Sequence, residues 1–146
     1  MIEIKTIEEL EAERERQREA WIKGGNNPSN FMLNLTDADL SDANLKGADL
    51  TNANLTNANL RGADLEGANL IAADLSYCHF SFANLKKATL CNCDLRLVNR
   101  ISSAYLMYSI KSGAVITPSQ ETALRITFGI RGSKFMAGFI VKELEA

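Results

Sequence analysis

The stretch Ala38-Asp39-Leu40-Ser41-Asp42-Ala43-Asn44-Leu45-Lys46-Gly47-Ala48-Asp49-Leu50 decides the fold of half the chain. Leucine recurs in it at every fifth residue. Followed outward, the period runs without a slip through thirteen positions: Leu35, Leu40, Leu45, Leu50, Leu55, Leu60, Leu65, Leu70, Leu75, Phe80, Leu85, Leu90 and Leu95. Two residues before each of these sits Ala in ten cases, with Leu33, Cys78 and Cys93 the exceptions. Between the two sits Asp or Asn in eleven cases, and His79 and Thr89 break the rule.

A period of five fits neither regular element. On an α-helix it turns successive leucines by roughly 140°, which scatters them around the cylinder. In a strand, side chains alternate faces, so an odd spacing throws successive leucines to opposite sides. The pattern inside one repeat resolves the conflict. Ala38 and Leu40 are two apart, so extended backbone points both inward and Asp39 outward. Ser41 and Asp42 are adjacent and polar, so the chain turns a corner there. Each pentad reads in, out, in, out, out. A chain that turns the same way at every pentad winds into a solenoid.

The number of pentads per coil does not follow from spacing alone. The run 38–50 resembles the pentapeptide-repeat family, and the resemblance covers residues 33–97. It implies an all-β solenoid: a right-handed quadrilateral β-helix with four pentads per coil. Coils of twenty residues would stack Leu35, Leu55, Leu75 and Leu95 on one face, rising about 4.8 Å per coil. Leucine then fills the lumen, and Asp or Asn beside each corner suits side-chain-to-backbone hydrogen bonds.

Both ends read as caps, which a solenoid needs because its terminal coils expose strand edges. Thr6-Ile7-Glu8-Glu9 is a capping box at a helix start, and Gly24-Gly25 ends that helix. Residues 1–25 are thus expected to form an N-terminal capping helix. Its apolar set is Ile7, Leu10, Trp21 and Ile22, interrupted by Arg14 and Gln17. That stripe suits the first coil near Phe31 and Met32, or equally a partner helix. Residues 26–97 form the repeat run, and 98–117 read as a degenerate last coil whose register is open. Residues 118–146 read as a helical cap or dimerisation segment. A helix begins at Thr117-Pro118, and a second, from Ser133, would carry Phe135, Met136, Phe139, Ile140 and Leu144 on one face.

The chain has 146 residues and a formal net charge of −2, so bulk charge names no partner. No apolar run nears eighteen residues and no leader pattern opens the chain, so a cytoplasmic location and no membrane contact are expected. Cys78 and Cys93 fall at inward positions, and Cys91 is expected to face outward. Cys91-x-Cys93 lacks zinc-ligand spacing, and no metal or other cofactor is expected. Paired carboxylates in a cleft and Gly-rich phosphate loops are both missing, so the expectation is no enzyme.

Function then lies on the outer surface. Early coils show Thr, Ser, Asp, Asn and Gly there, whereas later coils show Ile71, Tyr77, Phe82, Leu97 and Ile101. These five form the candidate interaction surface. Residues 1–75 hold fourteen acidic and seven basic side chains, whereas 76–146 hold four and nine, so charge is graded along the rod. The leading reading is a non-catalytic scaffold or protein–protein interaction module, with a homodimer through the C-terminal segment as one form of contact. The resemblance also brings in DNA-mimicking binders of gyrase or topoisomerase. Residues 26–117 carry eight acidic and seven basic residues, too balanced for a DNA mimic. A self-associating structural protein is the third alternative. Lys86, Lys87, Arg96 and Arg100 form only a modest basic group, so nucleic-acid binding is disfavoured.

Overall fold

A computed structural model describes residues 1–91 and Cys93, together with the backbone of Val115–Ile116 and Ile140–Val141. From Asn34 onward the chain repeats itself every twenty residues. Parallel bridges join Asn34, Asn54 and Asp74 on the first face, and Asp39, Asn59 and His79 on the second. They join Asn44, Asp64 and Asn84 on the third, and Asp49, Asn69 and Thr89 on the fourth. Each coil is therefore a square of four pentads. Each inward leucine from Leu35 to Leu90, and Phe80, is 0 % exposed, and the Ala or Cys beside it, or Leu33 beside Leu35, is also buried.

The corners explain the rest of the pentad. At each one the N–H of the inward Ala donates to the carbonyl of the preceding Leu, as in Ala38 to Leu35 at 3.1 Å. The residue before that Ala, or before Cys78, has positive φ: Asp37, Asp42, Gly47, Asn52, Asn57, Gly62, Gly67, Ala72, Tyr77, Phe82 and Lys87, in unbroken succession. A three-residue bond closed over a left-handed residue is the signature of a type II turn. Asp, Asn and Gly suit that position because they enter the left-handed region at little cost. The outward Asx residues work as the sequence suggests. Asp39 Oδ1 accepts the Ser41 N–H at 2.9 Å, and Asn69, Asp74 and Asn84 do the same two residues on.

One position departs from the inward–outward scheme. The residue just after the lumen leucine is covered in most pentads, with Lys46, Arg61 and Lys86 the exposed exceptions. Ser76 is buried, Thr36, Ser41, Thr51, Thr56, Glu66, Ile71 and Ser81 are half-buried, and Cys91 is buried too. Cys91 is thus covered without joining the lumen core. In the first half of the corner the side chain lies along the wall, in a column with its counterparts twenty residues away, here Ile71 and Thr51. The left-handed residue is the one that protrudes.

The first coil is closed from below by residues 2–23. Ile2–Lys5 runs as one more rung: Ile4 N–H donates to Asp39 O at 3.1 Å, and Asp39 N–H to Ile2 O at 2.8 Å. Ile4 is buried beneath the leucine stacks. Helix α1 (Ile7–Lys23) follows, opened by the expected capping box between Thr6 and Glu9. Leu10 is buried and Ile7 packs against the core, whereas Trp21 and Ile22 are more than a third exposed. The two residues that interrupt the apolar stripe reach the strand edge. Gln17 donates to Asn34 O and accepts from Asn34 N–H, both at 2.8 Å. Arg14 donates to Asp49 O. Lys5 supplies the third face, its carbonyl accepting Asn44 N–H at 2.9 Å, and its ammonium donates to Ser41 O at 2.8 Å. Each of the four faces thus receives a partner from residues 2–23, drawn from backbone on two faces and side chains on the others.

Strand β1 (Val115–Ile116) pairs in parallel with β2 (Ile140–Val141). Ile140 therefore does not sit in the short helix expected from Ser133. Both segments are adjacent β-branched pairs, which favour extended backbone over helix. Leu95, Leu97, Ile101, the register of 98–117, the helix from Thr117 and the dimer segment otherwise lie outside the described residues.

Candidate functional site

The candidate surface is built at the corners of the third coil. Tyr77 follows the first face and Phe82 the second, each at the protruding left-handed position. They are 54 % and 64 % exposed, the two most exposed aromatic side chains among the described residues. Ile71 belongs to the column just before the protruding position and is half-buried. The structure therefore spreads Ile71, Tyr77 and Phe82 over three successive corners rather than into one patch. Between Tyr77 and Phe82 lies the second face, with His79 outward.

Backbone geometry makes the aromatic corners unusual. Tyr77 has φ 60° and Phe82 φ 65°. An L-residue without Gly, Asn or Asp chemistry loses roughly 1–2 kcal/mol in that region. Each corner has cheaper residues directly below it. Tyr77 tops a column of Asp37 and Asn57, whose side chains bond to each other at 2.6 Å. Phe82 tops Asp42 and Gly62. Gly62 is required there for space as well, since a Cβ on it would lie 2.1 Å from Asp42 Oδ1. Aromatic residues thus replace the favoured types at two corners where the backbone disfavours them.

The wall between is polar and sorted by height. In the first coil, Asp39 lies 3.5 Å from Lys5 Nζ, and the hydrogen bonds from Ser41, then the charge on Lys5, hold its carboxyl below the usual range. Lys46 on the third face bridges upward to Asp64 at 3.3 Å and Glu66 at 3.6 Å, which raises its own pKa. The column Lys46, Glu66, Lys86, of alternating charge at twenty-residue spacing, is thus paired in its lower half; no ion pair joins Glu66 to Lys86.

The three cysteines are buried and form no disulfide. Cys78 Sγ donates to Leu55 O at 2.9 Å, and Cys93 Sγ to Leu70 O, so each thiol meets a corner carbonyl twenty-three residues back. Burial pushes both thiols up to about 12. Cys93 belongs to the lumen core and Cys91 does not, yet both are buried, so this pair offers no exposed nucleophile.

Some of the working residues were not anticipated from sequence. Ile2–Lys5 carries a strand signal, the alternation Ile2-Glu3-Ile4-Lys5, beside a louder helix signal. Arg14 and Gln17 carry none, because a strand edge reached by side chains leaves no periodicity.

No helix among the described residues is long and apolar enough to cross a membrane. A model of pentapeptide repeats matches eight copies, over residues 34–70 and 73–99. Comparison with curated proteins finds no match. Among solved structures, the chain is similar to a pentapeptide repeat protein of the Arabidopsis thaliana thylakoid lumen. That match has 27 % identity and a TM-score of 0.46, covering 58 % of this chain and 53 % of that one. It is similar to a pentapeptide repeat protein of the cyanobacterium Cyanothece 51142, at 45 % identity and a TM-score of 0.38, covering 44 % and 42 % of the two chains. A pentapeptide repeat protein from Nostoc PCC 7120 aligns over 97 % of this chain and 98 % of its own, at 24 % identity and a TM-score of 0.42. The matched part spans about half the plant protein and less than half of the Cyanothece one. The twenty-residue coil and the eight matched copies agree: residues 34–70 and 73–99 of the chain are pentapeptide repeats, wound four to a coil as a quadrilateral β-helix.

Proposed function

We propose that the protein is a non-catalytic, cytoplasmic interaction module. The repeat run 26–97 acts as a rigid rod, and the contact surface for a protein partner centres on Tyr77 and Phe82. The observation that carries this reading is the choice of residue at the corners. Asp, Asn or Gly fills seven successive corners from Asp37 to Gly67, then Ala72, Tyr77, Phe82 and Lys87 follow. At two of these, large apolar rings stand more than half exposed in a backbone conformation that disfavours them. Selection for stability alone would remove them. Large exposed aromatics are the residues on which protein interfaces concentrate their energy.

In this reading residues 1–25 are a cap. By occupying all four edges of the first coil they prevent strand addition from below, so any association occurs through the walls or the far end. The reduced, buried cysteines suit a reducing compartment.

The test uses the double variant Tyr77→Asn/Phe82→Asn, which restores corner residues of the favoured kind. Wild type and variant, immobilised at equal density, are exposed to extract of the native host. The expected result is a protein retained by wild type and lost from the variant, while the variant's thermal stability is unchanged or higher. Equal retention on both would contradict the proposal.

A further inference from the structure

We propose that the second face holds a short extended segment of a partner protein carrying a basic residue, a carboxylate and an apolar side chain within about four residues. This rests on the interaction-module reading and adds the wall and the chemistry of the partner.

The wall is recessed. A shallow trough of about 740 Å³ runs up it past Asp37, Asp39, Arg61 and His79. It adjoins a notch of about 440 Å³ beside Asp42, Gly62 and Phe82. Chemistry changes with height along this path. The lowest coil presents three carboxylates, Asp37, Asp39 and Asp42. The middle coil presents the Arg61 guanidinium. The third presents His79 between the Tyr77 and Phe82 corners.

Much of this polar surface is unspent. Asp39 pairs with Lys5, and Asp37 accepts from Asn57. Among the described residues, the carboxylate of Asp42, the guanidinium of Arg61 and the imidazole of His79 make no side-chain hydrogen bond or ion pair. His79 also gives up a local bond. Asp74 and Asn84, at equivalent positions, accept the N–H two residues on, from Ser76 and Lys86. Asn59, directly below His79, accepts from Arg61 N–H in the same way at 3.2 Å. The segment Tyr77–Phe82 therefore departs from the pentad rule at its corners and at its outward position together.

Size selects the occupant. Three residues of strand and three rungs give a wall of about 10 Å by about 14 Å. That is far below the ~800 Å² per partner of a standard protein interface, so this wall alone does not hold a second copy of the chain. It matches a peptide. Extended chain rises about 3.3 Å per residue, so three to four residues climb the two rungs from Asp39 to His79. Charge complementarity then orders the segment. A basic side chain meets Asp37, Asp39 and Asp42. A carboxylate meets Arg61, the side chain best suited to grip it in two bonds, and His79. An apolar side chain lies against the rings at the top.

The probes are two fluorescein-labelled peptides of opposite order, Gly-Arg-Gly-Glu-Phe-Gly and Gly-Phe-Glu-Gly-Arg-Gly, titrated into the full chain and followed by polarisation. A control exchanges Arg and Glu. One of the two orders should bind saturably and more tightly than the control. Arg61→Glu should weaken that binding at least tenfold, and Phe82→Asn should weaken it with the circular dichroism unchanged. Absence of saturable binding by either order up to millimolar peptide overturns the proposal, as does equal binding of the control or indifference to Arg61→Glu. If a host protein is still lost from the Tyr77→Asn/Phe82→Asn variant while the peptides fail, the peptide chemistry is wrong and the contact surface stands. If both fail, the contact surface falls as well.

Discussion

Replacing Gln17 by Glu changes one nitrogen to an oxygen and leaves shape untouched, yet it reaches the contact that closes the first face. Gln17 Nε2 donates to Asn34 O at 2.8 Å and to Glu13 Oε1 at 2.7 Å, while Gln17 Oε1 accepts from Asn34 N–H. The carboxylate keeps only the last of these. Two hydrogen bonds at about 1 kcal/mol each disappear. Two carboxylates then face each other four residues apart on one helix, for a further few tenths of a kcal/mol. The expected loss is about 2 kcal/mol, which for a chain of this size lowers Tm by about 4–8 °C. Gln17→Ala removes all three bonds but leaves accessible groups to water and introduces a better helix former, so it should cost no more than Glu. The carboxyl in the variant has its charged form disfavoured, so its folded pKa is raised above the unfolded one. Protonation restores a donor, and the deficit is therefore small below the ordinary carboxylate range and grows as pH rises through the folded pKa. Thermal melts of the three proteins at pH 7 and pH 4.5 provide the assay. A Gln17→Glu protein melting within a degree of wild type at pH 7 would refute the idea that this side chain substitutes for a strand.

Further expectations follow from the corners, the lumen and the carboxylates. Gly47→Ala meets no atom and should cost only the left-handed strain, about 1–2 kcal/mol, whereas Gly62→Ala should cost more because it must also displace Asp42. Denaturant titration compares them, and the excess at Gly62 should shrink in an Asp42→Ala background; an excess that persists there would contradict the assigned contact. Cys78 and Cys93, with thiols pushed up to about 12, should resist alkylation at pH 8 until the protein unfolds, as mass spectrometry after iodoacetamide would show. Rapid labelling of either in native protein would be inconsistent with their burial. Asp39, Asp49 and Glu13 all have lowered carboxyl pKa values, through hydrogen bonds from Ser41, Thr51 and Arg16 respectively. Their contribution is present above the unfolded pKa and is lost as pH falls through the folded one. Tm should thus hold from pH 8 to 5 and drop below about pH 4; a Tm that stays level to pH 3 would count against these bonds.

Legibility in the sequence differed by level for physical reasons. Lumen positions repeat because every coil presents the same space, so Leu35 to Leu90 announce themselves by period. Corner type was half readable. Adjacent polar residues mark a turn, but only backbone angles show that Ser41 lies along the wall while Asp42 protrudes, and the burial of Cys91 carries no sequence signal. The helix was readable from Thr6 and Glu9, since a capping box is local. Its docking was not, because Gln17 and Arg14 act on backbone atoms of Asn34 and Asp49, which carry no sequence signal. Tyr77 and Phe82 were visible as apolar intruders at outward positions. That their backbone is left-handed, and that His79 and Arg61 share the wall between them, required the twenty-residue stacking. Ile140 shows the opposite failure: a helical spacing of apolar residues was read where a β-branched pair forms a strand with Val115–Ile116.

Site-specific photocrosslinking in the native host tests the contact surface most directly. A benzoylphenylalanine is placed at Tyr77 in one protein and at Asn52 in another. Both positions are left-handed corners with similar backbone, φ 60° and 57°, on different edges of the rod. The account predicts a discrete crosslinked adduct with a second protein from position 77 and none from position 52. Adducts of equal yield from both positions, or none from either, would contradict it.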